Sequence, residues 1–145
     1  MHQCPQVDDE LLCDLSCPNN CTCYGLAFYC GHPFLAADYS NLRFLDGSGS
    51  GMSARELSNN TLLVHLSLAR CGLTRVGDLN FPNLHVLDLN EKKLKEIHLA
   101  ELRGLPHLER LSVSGNALVT LFSAVSDRTG VVMSALRVLD VSRLN

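Results

Sequence analysis

One apolar spacing recurs along the chain in the strings LVHLSLARCGL, LHVLDLNEKKL, LERLSVSGNAL and LRVLDVSRLN. A degenerate earlier copy runs through Leu42, Leu45 and Met52. The copies start at Leu42, Leu63, Leu84, Leu108 and Leu136, so the intervals are 21, 21, 24 and 28 residues. Self-similarity at this period means stacked supersecondary units, each burying its apolar side against its neighbours. The L-x-L element has the alternation of a short strand: its leucines turn inward, and the residues between them face outward.

The full form, LxxLxLxx(N/C)xL, is met by Leu63, Leu66, Leu68, Cys71 and Leu73, and again by Leu108, Leu111, Val113, Asn116 and Leu118. It resembles the leucine-rich repeat. The resemblance implies an α/β repeat fold, a leucine-rich-repeat solenoid with parallel strands on the concave face and an irregular or short-helical convex side. Asn suits the turn position because its amide can bond exposed backbone groups, whereas a Cys thiol does so weakly. Cys71 is expected to be an unpaired thiol. In the third copy Lys92 occupies the Asn position, and that turn is expected to be rearranged or open to water. Val76, Leu79, Phe81, Ile97, Leu102 and Leu105 are the expected convex anchors. AELRGLPHL is expected to hold a helical turn ended by Gly104 and Pro106. SAVSDRTGVVMSA is a longer loop.

A chain of 145 residues with 46% hydrophobic residues suffices for one domain with a real core. Its formal charge of −3 and scattered Lys and Arg form no basic stripe, which argues against nucleic acid as a partner. Six of seven cysteines fall within the first thirty residues. That density fits a disulfide-stapled extracellular module; thiolates from Cys17, Cys21, Cys23 and Cys30 around zinc are the alternative. MHQCPQVDDELLC has no signal-peptide pattern, and no run of about twenty apolar residues occurs in the chain. The sequence therefore reads as a fragment, with any exporting or anchoring segment elsewhere in the parent.

The spacing C-x3-C-x-C-x6-C over Cys17, Cys21, Cys23 and Cys30 resembles the N-terminal cap of extracellular leucine-rich-repeat proteins. That resemblance implies a small hairpin with pairs Cys17–Cys23 and Cys21–Cys30, closing the apolar end of the first repeat. Upstream, Cys4, Asp9, Glu10 and Cys13 resemble the end of an LDL-receptor class A module, whose acidic pair helps hold calcium. The module's earlier half is absent and Gln3 stands where that family has an acidic residue, so Asp9 and Glu10 are remnants. Calcium needs six or more oxygen ligands, and no cofactor is expected. The order of these parts, with LRFLDGSGSGM and LSNNTLLVHLSLARCGL, resembles the ectodomain of relaxin-receptor-like G-protein-coupled receptors. The implied domains are 1–13 (class A remnant), 14–41 (cysteine-rich cap) and 42–145 (about five repeats).

The expected function is recognition on the extracellular side of the plasma membrane, with a peptide hormone of relaxin type or another extracellular protein on the concave face. The alternative is a secreted, non-signalling matrix or adhesion protein. Phe44, Asp46, His65, Asp88, Glu91, Glu109, Arg110 and Asp140 are expected to project from that face. Asp46, Asp88 and Asp140 share one repeat position, filled elsewhere by Ser67 and Ser112. By the resemblance, hormone arginines would be read by acidic residues, and Asp88, Glu91 and Glu109 form the candidate patch. Asn20-Cys21-Thr22 and Asn59-Asn60-Thr61 are glycosylation triplets, Asn59 the better placed. The six histidines accompany no GxSxG, HExxH or phosphate-loop motif, so no enzyme is expected.

Overall fold

The computed structural model describes residues 16–72, 76–77, 79–91, 93–116, 120–121 and 135–142. It begins with an antiparallel hairpin of β1 (Cys21–Tyr24) and β2 (Ala27–Cys30). Their two-residue connection needs a positive φ at its first position, and Gly25 supplies it at 61°. Disulfides join Cys17 to Cys23 and Cys21 to Cys30, the second between residues paired across the hairpin. The side of the hairpin facing the rest of the chain buries Phe28, whose ring meets Tyr39 edge-on at 5.0 Å and Phe34 at 6.0 Å.

From β2 onward every neighbour in the main sheet is parallel: β3 (Phe44–Asp46), β4 (His65–Ser67), β5 (Val86–Asp88), β7 (Arg110–Ser112) and β9 (Val138–Asp140). The register is constant, so Phe28, Leu45, Leu66, Leu87, Leu111 and Leu139 form one row. Leu45, Leu66 and Leu87 are 0% exposed, and Leu139, at the far edge, is 39% exposed. Further buried rows are Leu42, Leu63, Leu84 and Leu108, and Leu68, Leu89 and Val113. Each such side chain contributes roughly 1.5–3 kcal/mol by leaving water. The degenerate first copy is as well packed as the rest, since Leu42, Leu45 and Met52 are all buried.

The turns after the strands share one backbone form. Gly49 and Gly51, Arg70 and Gly72, and Glu91 and Lys93 all have positive φ, and Gly115 continues the series. The third turn keeps this backbone form at Glu91 and Lys93, both exposed, so of the two alternatives expected there a rearranged backbone is not seen on either side of Lys92, which itself lies outside the described residues. The next repeat explains how. Asn116 is fully buried; its amide donates to Leu89 O and Val113 O, while its Oδ1 accepts from Leu94 N–H. One Asn therefore satisfies polar groups of its own turn and of the turn that lacks one. Cys71 is free and half-buried, with long contacts from Sγ to Gly47 O (3.3 Å) and Ala69 O (3.5 Å).

The return segments carry 3₁₀ turns at Ala36–Tyr39, Ala54–Leu57 and Leu99–Leu102, and a second parallel pair, β6 (Glu96–Ile97) with β8 (Thr120–Leu121). The last 3₁₀ turn starts one residue before the segment AELRGLPHL, expected to hold a helical turn, and overlaps its first three residues. Ser53 and Glu56 form a capping box on the Ala54–Leu57 turn. Val76, Leu79, Phe81, Ile97, Leu102 and Leu105 are buried as expected. Gly104 bridges to Asn80, and a Cβ there would run into the Leu79 carbonyl oxygen, so only glycine permits this close approach of return segments. Asn60 is fully buried too, donating to Ala36 O and Tyr39 O and so tying one return segment to the next. Among the described residues no helix is long and apolar enough to cross a membrane.

Candidate recognition surface

The face of the main sheet opposite the leucine row carries two lateral rows of side chains. One reads Tyr29, Asp46, Ser67, Asp88, Ser112, Asp140; the other reads Ala27, Phe44, His65, Val86, Arg110, Val138. Parallel strands lie about 4.8 Å apart, so successive carboxylates of the first row stand about 10 Å apart with a serine between.

These aspartates also shape the strand ends. Asp46 Oδ1 accepts the Ser48 N–H at 3.0 Å, Asp88 Oδ1 the Asn90 N–H at 2.9 Å and Asp140 Oδ1 the Ser142 N–H at 2.9 Å. Each is an Asx turn that starts the chain's exit from the strand. Ser67 Oγ lies 3.4 Å from Asp88 Oδ2, and Ser112 Oγ donates to Asn90 Oδ1 at 2.6 Å. The acidic row is therefore part of the fold's own hydrogen bonding as well as a charged surface. That double role was hidden in the sequence, where the Asp positions look merely polar.

The named candidates separate into groups. Asp46, His65, Asp88 and Arg110 lie on strands of this face, with Arg110 exposed and the other three half-buried. Glu109 is half-buried one residue before β7. Glu91 is not on the strand: it sits three residues past Asp88 in a left-handed turn (φ 54°), beside Gly115, whose Cβ would approach Glu91 Cγ to 2.8 Å. Asp88, Glu91 and Glu109 thus belong to a strand, a turn and a strand entry. Asn59 and Asn20 are exposed, Asn20 with a positive φ of 67° just before β1. Asp9 and Glu10 lie outside the described residues. Among the described residues no group of three or more His, Cys, Asp or Glu is placed to hold a metal ion.

Sequence reasoning named Phe44 and His65 for this face but missed Tyr24 and Tyr29, and with them the continuity of the rings. Tyr24 meets Tyr29 edge-on at 6.0 Å, Tyr29 meets Phe44 at 5.1 Å, and Phe44 stacks on His65 at 4.4 Å. The chain of rings crosses four strands, from the hairpin onto the second repeat. Its signal was the alternation in AFYC, FLD and HLS, which places Tyr29, Phe44 and His65 opposite Phe28, Leu45 and Leu66. Burial holds the His65 imidazole below its usual 6.5, with Asp46 and Asp88 pulling the other way.

Residues 61–118, which span β4, β5 and β7, match the leucine-rich repeat family. No curated protein matches the chain.

Proposed function

We propose that this chain is an extracellular recognition module in which the repeats stack as a solenoid, the disulfide hairpin closes its first end, and the open sheet face binds a protein. The observation that carries this reading is the unbroken parallel register from β2 to β9, which arrays outward residues of six strands as one surface. Extended strand surfaces of this kind are what repeat proteins use for binding partners. Within that reading, the parent is a cell-surface receptor of the relaxin-receptor-like, G-protein-coupled kind, and its ligand is a peptide hormone presenting basic side chains. Its role is binding rather than catalysis. Two disulfides among the described residues support an oxidising location.

The test uses the full-length parent on the cell surface. Asp88→Asn and Glu109→Gln remove charge while keeping the hydrogen-bonding shape, so that the Asx turn at Asp88 survives; Glu91→Gln completes the triple variant. Relaxin-like peptides should bind the triple variant weaker by several kcal/mol, since hydrogen bonds to charged groups contribute roughly 1.5–3 kcal/mol each. Surface expression should stay normal. Unchanged affinity for every such peptide would overturn the hormone reading and leave the matrix or adhesion alternative.

A further inference from the structure

Two of the chain's three tyrosines, Tyr24 (70% exposed) and Tyr29 (42% exposed), lie on the outward side of the hairpin, although buried aromatics such as Phe28 were available as partners on the other side. Aromatic rings exposed in a connected line lose the benefit of burial unless something covers them. Here the line continues without a gap through Phe44 to His65. It is flanked along its length by carboxylates: Asp46 is paired directly with Tyr29, and Asp88 lies one strand beyond His65 in the adjacent row. Arg110, the cation on these outward rows, is two strands from His65.

Aromatic faces beside carboxylates have one complementary ligand chemistry. A guanidinium or ammonium is attracted by the ring quadrupole and by the neighbouring negative charge, while its aliphatic stem covers the apolar ring surface. An anionic partner would meet Asp46 and Asp88, and a purely apolar partner would desolvate them without compensation. The uncharged state of His65 near neutral pH, favoured by its burial, leaves the fourth ring compatible with a cation.

We propose that Tyr24, Tyr29, Phe44 and His65, together with Asp46, form a docking strip for an arginine or lysine side chain of a polypeptide partner. This rests on the reading of the sheet face as a protein-binding surface and assigns that surface a second contact region, at the hairpin and first two repeats, away from Glu91 and Glu109. The rings supply the platform, and Asp46 fixes where the charge sits.

The probe is N-acetyl-arginine amide, titrated into the oxidised, isotope-labelled chain, with the neutral N-acetyl-norleucine amide as its comparison; aromatic and backbone resonances are followed. Arginine amide should shift the signals of Tyr29, Phe44 and His65 saturably, and norleucine amide should leave them nearly unmoved. Asp46→Asn keeps an Oδ1 to accept the Ser48 N–H, so the turn survives; it should weaken the effect about fivefold. Tyr29→Ala with Phe44→Ala should abolish it while the β5 and β7 amides keep their positions. Equal shifts from both probes, no shift from arginine amide, or binding unaffected by these substitutions would overturn the strip. Such a result would leave intact any hormone binding that depends on Asp88 and Glu109, so the two readings fail separately.

Discussion

The hairpin and the repeats solve the same packing problem with different means. Strands inside the stack place a leucine between two like it: Leu66 has Leu45 on one side and Leu87 on the other, and none of the three sees solvent. The hairpin has a repeat on one side alone. Its inward residue Phe28 is buried beside Leu45 of β3, while among the described residues β1 has no further strand, and its side chains alternate between half-buried and exposed. What the hairpin lacks in buried layers it replaces by two disulfides within fourteen residues. Layer burial can stabilise a strand held on both sides, and covalent links stabilise one held on a single side by limiting the unfolded chain.

The largest loss of stability is expected inside the stack. Leu87→Ala removes a side chain enclosed by two neighbouring rows and should destabilise the chain by about 2.7–5 kcal/mol in urea unfolding. A loss below ~1 kcal/mol would mean that the strands do not bury one another as described. Replacing Cys21 and Cys30 together by Ser should cost about 3 kcal/mol, the value expected for so short a loop. The loss should appear as early melting of the hairpin rather than of β5 or β7. Asn116→Ala should cost about 2 kcal/mol, because it leaves buried groups in two successive turns without partners. Asn116→Ala stability equal to the parent would show that the turn at Lys92 is held another way.

The smallest effect concerns His65, on the second repeat at the end of the line of rings that starts on the hairpin. Burial depresses its folded-state pKa, so the unfolded chain binds a proton more readily. Stability from the neutral ring is complete above the unfolded value near 6.5, falls as pH drops from there towards the folded pKa, and is flat below it. Unfolding between pH 7 and 5 should lose this component in His65→Phe. A variant with the same pH slope as the parent would remove His65 as its source.

Much of the repeat region was legible because leucine spacing and strand register are the same information: a side chain that recurs every 21 residues and alternates along a strand has one consistent burial. Leu42, Leu45 and Met52 were readable for that reason even though Gly47 and Ser50 replace the usual residues. Legibility fails where partners come from elsewhere in the chain. Lys92 reads as a defect until Asn116, from the following repeat, supplies the missing bond. Asn60 reads as part of a glycosylation triplet until the Ala36 and Tyr39 carbonyls are brought to it. Glu91 looks continuous with Asp88 along the string, but the left-handed turn between them takes it off the strand. Tyr24 and Tyr29 went unread because nothing local says which side of the hairpin the repeats will occupy.

On the proposed reading, the covalent hairpin protects the end of the stacked strands. Amide hydrogen exchange, followed strand by strand before and after selective reduction of the two disulfides, tests it most directly. Reduction should deprotect β2 first and then β3, at Phe44–Asp46, while β5 and β7 keep most of their protection. Unchanged exchange at β3 after reduction, or equal deprotection of all the strands at once, would show that the hairpin does not protect the end of the stack.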